Sequence, residues 1–283
     1  MSSIRPRPER LATGNAAFDR ILGGGLPTRS VVVIVGEPGA GKTLFALQML
    51  FHLARQGKKG LYLTTLSEPS LKLVSYMQQF SFFDERLVDR GIVFADLGSV
   101  IRGKGSEATL GEITQRVERE EPAVVVIDSF KAIRDILGDS SAVRTFVYDL
   151  AVHTAAWGAA SLFVGEYTDA EILTHSEFAI ADGIIRFSNR RHELTAVREV
   201  EVLKLRGASV VTGGHFFEIT GDGLVFFPRV RSPDGPFAEP EGLDARAPTG
   251  VAGLDDMLGG GLPRASATVI QGGTGTGKTM LGL

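Results

Sequence analysis

The residues with the most chemistry to offer are Gly36, Glu37, Pro38, Gly39, Ala40, Gly41, Lys42 and Thr43, which run consecutively and fit the pattern G-x-x-x-x-G-K-[ST]. Glycines at these places let the backbone curl around a phosphate so that successive N–H groups point inward, and a helix beginning there adds the positive end of its dipole. Lys42 is then placed as a point charge for the β- and γ-phosphates of a nucleoside triphosphate, and the Thr43 hydroxyl as a ligand for Mg2+. The same pattern recurs with Gly272, Gly277, Lys278 and Thr279 at the equivalent places. A chance glycine-rich turn ending in Lys-Thr accounts poorly for two copies.

A second carboxylate on the metal side is expected from Asp128, which ends the run AVVVID. The apolar residues ahead of it mark a buried strand, and ligands of open α/β sheets collect at the carboxyl ends of such strands. Its expected job is to hold Mg2+ through water. The plainer alternative is that Asp128 caps the following helix, a job equally open to Ser129.

To position these groups the chain must alternate strand and helix. Residues 30–35 (SVVVIV), 60–65, 91–96, 123–127 and 161–165 read as strands. Residues 44–54, 69–80, 112–120 and 142–157 read as helices, with Pro69 at a first-turn position. Short β-branched runs without polar alternation suit parallel strands covered on both faces. The fold class is therefore α/β, a mostly parallel central sheet flanked by helices. After Gly183 the segments IIRFSN, AVREVEVLKLRG, HFFEIT and GLVFFP follow one another with no helix between them, so antiparallel strands are expected at one edge.

Residues 13–43 and 249–279 align without a gap, with about half of the positions identical, so the chain is built on a tandem duplication. A first domain is expected over residues 1–230, a linker rich in proline over 231–247, and the start of a second domain over 248–283. That start should hold a lead-in, one strand and the first turns of a helix. Fewer than about 40 residues rarely bury enough surface to fold alone. The last segment thus reads as the opening of a longer domain, and little nucleotide binding is expected at its glycine-rich loop.

Composition narrows the classes of function. The 283 residues are 43% hydrophobic with a net charge of −3, which gives no long-range pull toward nucleic acid or anionic lipid. No apolar run approaches the roughly 18 residues of a membrane span, and the polar start MSSIRPRPER lacks a signal-peptide core, so the cytoplasm is the expected compartment. The absence of cysteine removes disulfides, thiolate zinc sites and cysteine nucleophiles together. The five histidines are scattered, and His153 and Trp157, four apart on an expected helix, read as a packed pair. Phe82, Phe83, Phe216, Phe217, Phe226 and Phe227 read as core or as contact between copies.

The lead-in TG...D..LGGGLP, the glycine-rich loop, the VIDS strand and Lys204-Leu205-Arg206-Gly207 together resemble the KaiC-like ATPases of the RecA superfamily, over residues 11 to about 228 and again at the second start. The resemblance implies a RecA-like P-loop fold, ATP with Mg2+, and a hexameric ring with nucleotide at each subunit interface. It also implies that Lys204, Leu205 and Arg206 reach a neighbour's nucleotide. Charge spreading onto a transferring phosphoryl group makes an arginine there effective. The alternative is a solvated pair on an edge strand, with Val202, Lys204 and Arg206 on one face and Leu203 and Leu205 on the other.

Two departures stand out. A threonine and a histidine that the family tends to carry after the KLRG segment read here as Ala208 and Val210. Where the family places two adjacent glutamates before a proline, this chain has Leu66-Ser67-Glu68-Pro69. The base that polarises the attacking water is therefore Glu68, or Glu166 at the end of the LFVGEY strand, or missing, and hydrolysis should be slow. The leading reading is a slow ring ATPase that switches shape for a signalling partner; the alternative is a nucleotide-gated scaffold that never cleaves. A recombinase or helicase would need basic, aromatic loops after the VIDS and FVGEY strands, but residues 131–139 are mixed in charge and 167–177 hold no Lys or Arg. Autophosphorylation belongs to the family's second domain and is not assigned here.

Overall fold

A computed structural model describes residues 9–65, 70–192, 195–230, 245–264 and 266–282. The chain divides into two compact units, Met1–Arg229 and Val230–Leu283. In the first, β1 (Arg10–Leu11), α1 (Ala16–Ile21) and β2 (Leu26–Pro27) lead into β3 (Val31–Gly36), α2 (Lys42–Arg55), β4 (Gly60–Thr64) and α3 (Ser70–Met77). Then come β5 (Ile92–Asp96), α4 (Gly98–Glu120), β6 (Val124–Asp128), α5 (Phe130–Leu137), α6 (Ser140–Ala156) and β7 (Ala160–Gly165). Two short helices, α7 (Asp169–Thr174) and α8 (Ser176–Ile180), precede β8 (Gly183–His192), β9 (Thr195–Leu205), β10 (Gly214–Thr220) and β11 (Gly223–Phe227).

The sheet has nine strands in the order β11-β10-β9-β8-β3-β7-β6-β4-β5. Strands β3 to β8 pair in parallel, and β9, β10 and β11 extend the sheet antiparallel at one edge. Every residue of β3 is buried, which is why that strand shows no polar alternation. Val32 and Ile34 pack into one core with Leu47 and Phe51 of α2, while Val31, Val33 and Val35 pack into the other with Ile113 of α4 and Phe146 of α6. The sheet is thus sandwiched between α2 on one face and α4 to α6 on the other.

Several sequence expectations are corrected. Helix α4 begins at Gly98 rather than near residue 112, because the chain stays helical on both sides of a kink at Gly105, whose φ of 77° and ψ of −168° are not helical. Residues 131–139, expected as a loop, are mostly α5, whose Phe130 and Ile133 are buried. Residues 167–177, also expected as a loop, fold into α7 and α8, and the Thr168 and Glu171 capping box starts α7. The linker expected over 231–247 lies largely outside the described residues, as does Pro69.

The face-sharing expected along β9 also fails. Register slips between Ile184 and Ile185, so Ile184 faces Lys204 while Ile185 faces Val202, and Leu203 is bulged out and 38% exposed. Past a bulge the alternation of side chains changes phase. Val202 and Leu205 consequently share the core, where strict alternation would put them on opposite faces. The aromatic pairs divide by alternation as well: Phe217 and Phe226 are buried, whereas Phe216 and Phe227, paired across β10 and β11, are 55% and 47% exposed.

The second unit holds β12 (Arg246–Ala247), α9 (Ala252–Met257), β13 (Leu262–Pro263) and α10 (Lys278–Gly282). The strand expected after its lead-in is not formed: residues 267–271 are irregular and Val269 is 88% exposed. The equivalent β3 is held by β7 on one side and β8 on the other, and no such partners occur among the described residues of this unit.

Candidate functional site

The turn between β3 and α2 requires glycine at two places. A Cβ on Gly36 would lie 2.0 Å from the Phe187 carbonyl oxygen, and Gly41, with φ of 99°, caps α2 in the left-handed region. No side chain caps α2 and no acid occupies its first turn, so the amides at its N-terminus face the cleft unclaimed by protein anions. Lys42 is 7% exposed and its Nζ donates to the carbonyl oxygens of Gly36 and Glu37, each at 2.8 Å. Burial pushes the Lys42 pKa down, and the carboxylates of Glu166, Asp128 and Glu37 oppose that shift.

Asp128 stands at the carboxyl end of β6. Its Oδ2 accepts hydrogen bonds from the Thr43 hydroxyl and from the Tyr62 hydroxyl, both at 2.6 Å. The capping alternative is not what forms: Ser129 occupies the N-cap of α5 and makes no side-chain cap bond. Thr65 ties the neighbouring strand ends together, its Oγ1 donating to the Ser129 carbonyl at 3.0 Å and accepting from the Ser129 amide at 3.1 Å. Neither Tyr62 nor Thr65 is singled out by sequence. Tyr62 sits in an all-buried strand where every position reads as core.

Lys42, Thr43, Tyr62, Asp128 and Glu166 line one cleft of about 860 Å³ at the carboxyl edge of the sheet, together with Lys131 and the apolar Leu73, Tyr76, Phe80 and Ile219. Glu166 is exposed just past β7, the strand between β3 and β6. Glu68, Leu66 and Ser67 lie outside the described residues. The hard oxygens of Thr43 and Asp128, 2.6 Å apart in the cleft that the glycine-rich loop lines, are a donor set that suits Mg2+.

Lys204, Leu205 and Arg206 do not line this cleft. Lys204 Nζ donates to the carbonyls of Phe178 and Ala179 at 3.3 and 3.4 Å, and burial, then the neighbouring Arg206 charge, push its pKa down. Arg206 meets Asp182 at 3.5 Å. The register explains the separation: Leu205 pairs with Gly183, and Gly183 with Val32 near the start of β3, whereas the glycine-rich loop follows its end. Ala208 and Val210 pack against the core around α2. In the second unit Lys278 Nζ bonds the carbonyls of Gly272 and Gly273 at 2.8 and 2.5 Å, repeating the Lys42 arrangement, and Thr279 follows it in α10.

Comparison with known proteins adds one decisive finding. A family model described as the KaiC ATPase matches residues 11–231 and 247–283. The chain belongs to the KaiC ATPase family. It is 29% identical over 284 residues to the circadian clock oscillator protein KaiC of Rippkaea orientalis, matching 96% of this chain and 53% of that protein. It is 30% identical over 286 residues to the circadian clock oscillator protein KaiC 1 of Synechocystis, with 96% and 54% covered. The chain therefore spans about half the length of the curated KaiC relatives it matches. A KaiC-like protein from the hyperthermophilic archaeon Pyrococcus horikoshii superposes with a TM-score of 0.68 at 25% identity, over 78% of this chain and all of that one. The family model matched is that of an ATPase domain. No helix among the described residues is long and apolar enough to cross a membrane.

Proposed function

We propose that the first unit binds Mg-ATP in the cleft at the end of β3 and hydrolyses it slowly, with nucleotide occupancy setting the shape of a self-assembled ring that a signalling partner reads. The observation that carries the reading is the Lys42, Thr43 and Asp128 constellation at the mouth of a glycine-rich loop. The loop amides at Gly39, Ala40 and Gly41 and the start of α2 would hold the phosphates, and Lys42 would leave the loop carbonyls for the β- and γ-phosphates. Thr43 and, through water, Asp128 would hold Mg2+, which would supply neutralisation of the phosphate charge. Tyr62 would fix the Asp128 carboxylate in place. Glu166, exposed in the cleft, and Glu68 are the two groups offered for orienting the attacking water.

Lys204 and Arg206 lie at the opposite strand ends from their own cleft, which supports a role on the nucleotide of a neighbouring copy and not on their own. The Gly272 to Thr279 loop is proposed not to act in this chain, because the strand that should lead into it is not formed and no parallel partners for it occur among the described residues of this unit.

The test is calorimetric titration of the pure chain with Mg-ATP, followed by phosphate release from the wild type, Glu68→Gln and Glu166→Gln. Saturable binding with slow release that one of these substitutions abolishes is the expected result. Tight binding with equal, near-zero release in all three would replace the ATPase by a nucleotide-gated scaffold, and no binding at all would end the proposal.

A further inference from the structure

Lys131 is a cleft-lining cation that the proposed mechanism leaves unused. It is the second residue of α5, the helix that starts two residues after Asp128, and it lines the same cleft as Lys42, Thr43 and Glu166. Among the described residues the charged lining consists of two cations, Lys42 and Lys131, against Asp128, Asp135 and Glu166. A triphosphate with one bound dication still carries excess negative charge, and the carboxylates of the lining outnumber its cations even with both lysines counted, so a second cation matters for holding it.

The ammonium of Lys131 is held at a defined place. It donates to Glu171 Oε1 at 2.7 Å and lies 5.3 Å above the ring of Tyr167, which is itself fixed edge-on against Phe178. The other Glu171 oxygen accepts from the Thr168 amide and hydroxyl at 2.7 and 2.9 Å, closing the capping box of α7. An ammonium has three donors and a single carboxylate oxygen uses one of them. Lys131 and Glu171 keep 28% and 25% of their side-chain surface, so the pair is wet enough for its partners to exchange.

We infer that Lys131 is a second phosphate-binding lysine contributed by the same chain, parked on Glu171 and transferred to the terminal phosphate of the bound triphosphate. This rests on the cleft being the triphosphate site. The transfer would tie the charge on the nucleotide to α7: with a terminal phosphate present Glu171 keeps only its capping bonds, and without it the lysine returns.

A plain surface ion pair stapling α5 to α7 predicts something different, and two substitutions separate the cases. Lys131→Met removes the cation, while Glu171→Gln keeps an N3 side chain able to complete the capping box but releases the lysine. Calorimetric titration of the full chain with a non-hydrolysable Mg-ATP analogue and with Mg-ADP, after thermal melting has shown each variant folded, gives the readout. Lys131→Met is expected to weaken the triphosphate analogue about tenfold, the size of one lost charge-assisted hydrogen bond, with little effect on ADP. Glu171→Gln is expected to tighten the analogue, and Lys131→Arg to retain the preference for triphosphate over diphosphate. Shifts of the same sign in Lys131→Met and Glu171→Gln, or equal shifts for analogue and ADP, overturn the inference while leaving the site reading standing. A wild type that takes up neither nucleotide overturns both.

Discussion

The Thr43 hydroxyl lies 2.6 Å from Asp128 Oδ2 although 85 residues separate the two in sequence. That single bond joins the first turn of α2 to the end of β6, across the intervening β7, and makes the two sides of the cleft one polar unit. Asp128→Asn should therefore lose most of the Mg2+ dependence of ATP binding. Thr43→Val should do the same and also destabilise the fold by about 1 to 3 kcal/mol, because a half-buried carboxylate loses a donor. Calorimetric titration with and without Mg2+ and urea unfolding check the two parts. Unchanged Mg2+ dependence in both variants would remove Thr43 and Asp128 from the metal site.

Tyr62 offers a finer test of the same carboxylate. Its ring packs beside Phe94 with centroids 5.5 Å apart, so Tyr62→Phe keeps the packing and deletes only the hydroxyl on Asp128. A stability loss of about 0.5 to 1.5 kcal/mol is expected. A larger fall in ATP affinity than in stability would mark the hydroxyl as a positioning group, and affinity that does not move would leave it structural.

Acid should act on the α5 to α7 junction with a defined sign. The hydrogen bond from Lys131, and then that from the Thr168 amide, hold the Glu171 carboxyl at about 2, down from 4.5. A carboxyl whose folded pKa lies below its unfolded one stabilises the fold above the unfolded value, and that contribution fades as pH falls toward the folded value. The stability gap between wild type and Glu171→Gln should accordingly be constant from neutral pH down to about 5 and shrink between there and about pH 2. Urea midpoints across this range measure it, and a gap that widens in acid would contradict the assignment.

Arg206→Ala and Lys204→Ala should leave ATP binding to an isolated copy intact while lowering phosphate release in the assembled state by about tenfold or more, as expected for a cation supplied across an interface. Mass measurement with and without Mg-ATP, alongside release assays over a range of protein concentration, checks this. Turnover per copy that is independent of concentration and of both substitutions would confine Lys204 and Arg206 to their contacts with Phe178, Ala179 and Asp182.

Much of this architecture was legible because its signals are local. The run from Val31 to Thr43 announces its own strand, turn and helix, and AVVVID announces Asp128, since a strand buried on both faces has little choice of residue. What stayed hidden depends on partners distant in sequence. Nothing near Leu203 marks the bulge that puts Val202 and Leu205 in one core. Residues 98–111 contain four glycines, which carry low helix propensity, and the chain is nevertheless helical on either side of Gly105. Tyr62 reads as a core aromatic until the fold brings Asp128 beneath its hydroxyl, and Lys131 reads as one charge in a mixed-charge loop until α5 forms and β6 carries it into the cleft.

If Lys204 and Arg206 act on a neighbour's nucleotide as proposed, the placement of Leu205 opposite Gly183, at the far strand ends from Gly36, would give the first unit a donor end and an acceptor end. Two copies related by a twofold axis would present identical patches to one another, and that arrangement alone does not propagate. A contact that seats the Arg206 end of one copy on the Lys42 end of the next is directional, leaves an unused end on each outer copy, and is completed only by closing into a cycle or by growing into a filament. Whatever an occupied cleft communicates in such an assembly would travel one way around it.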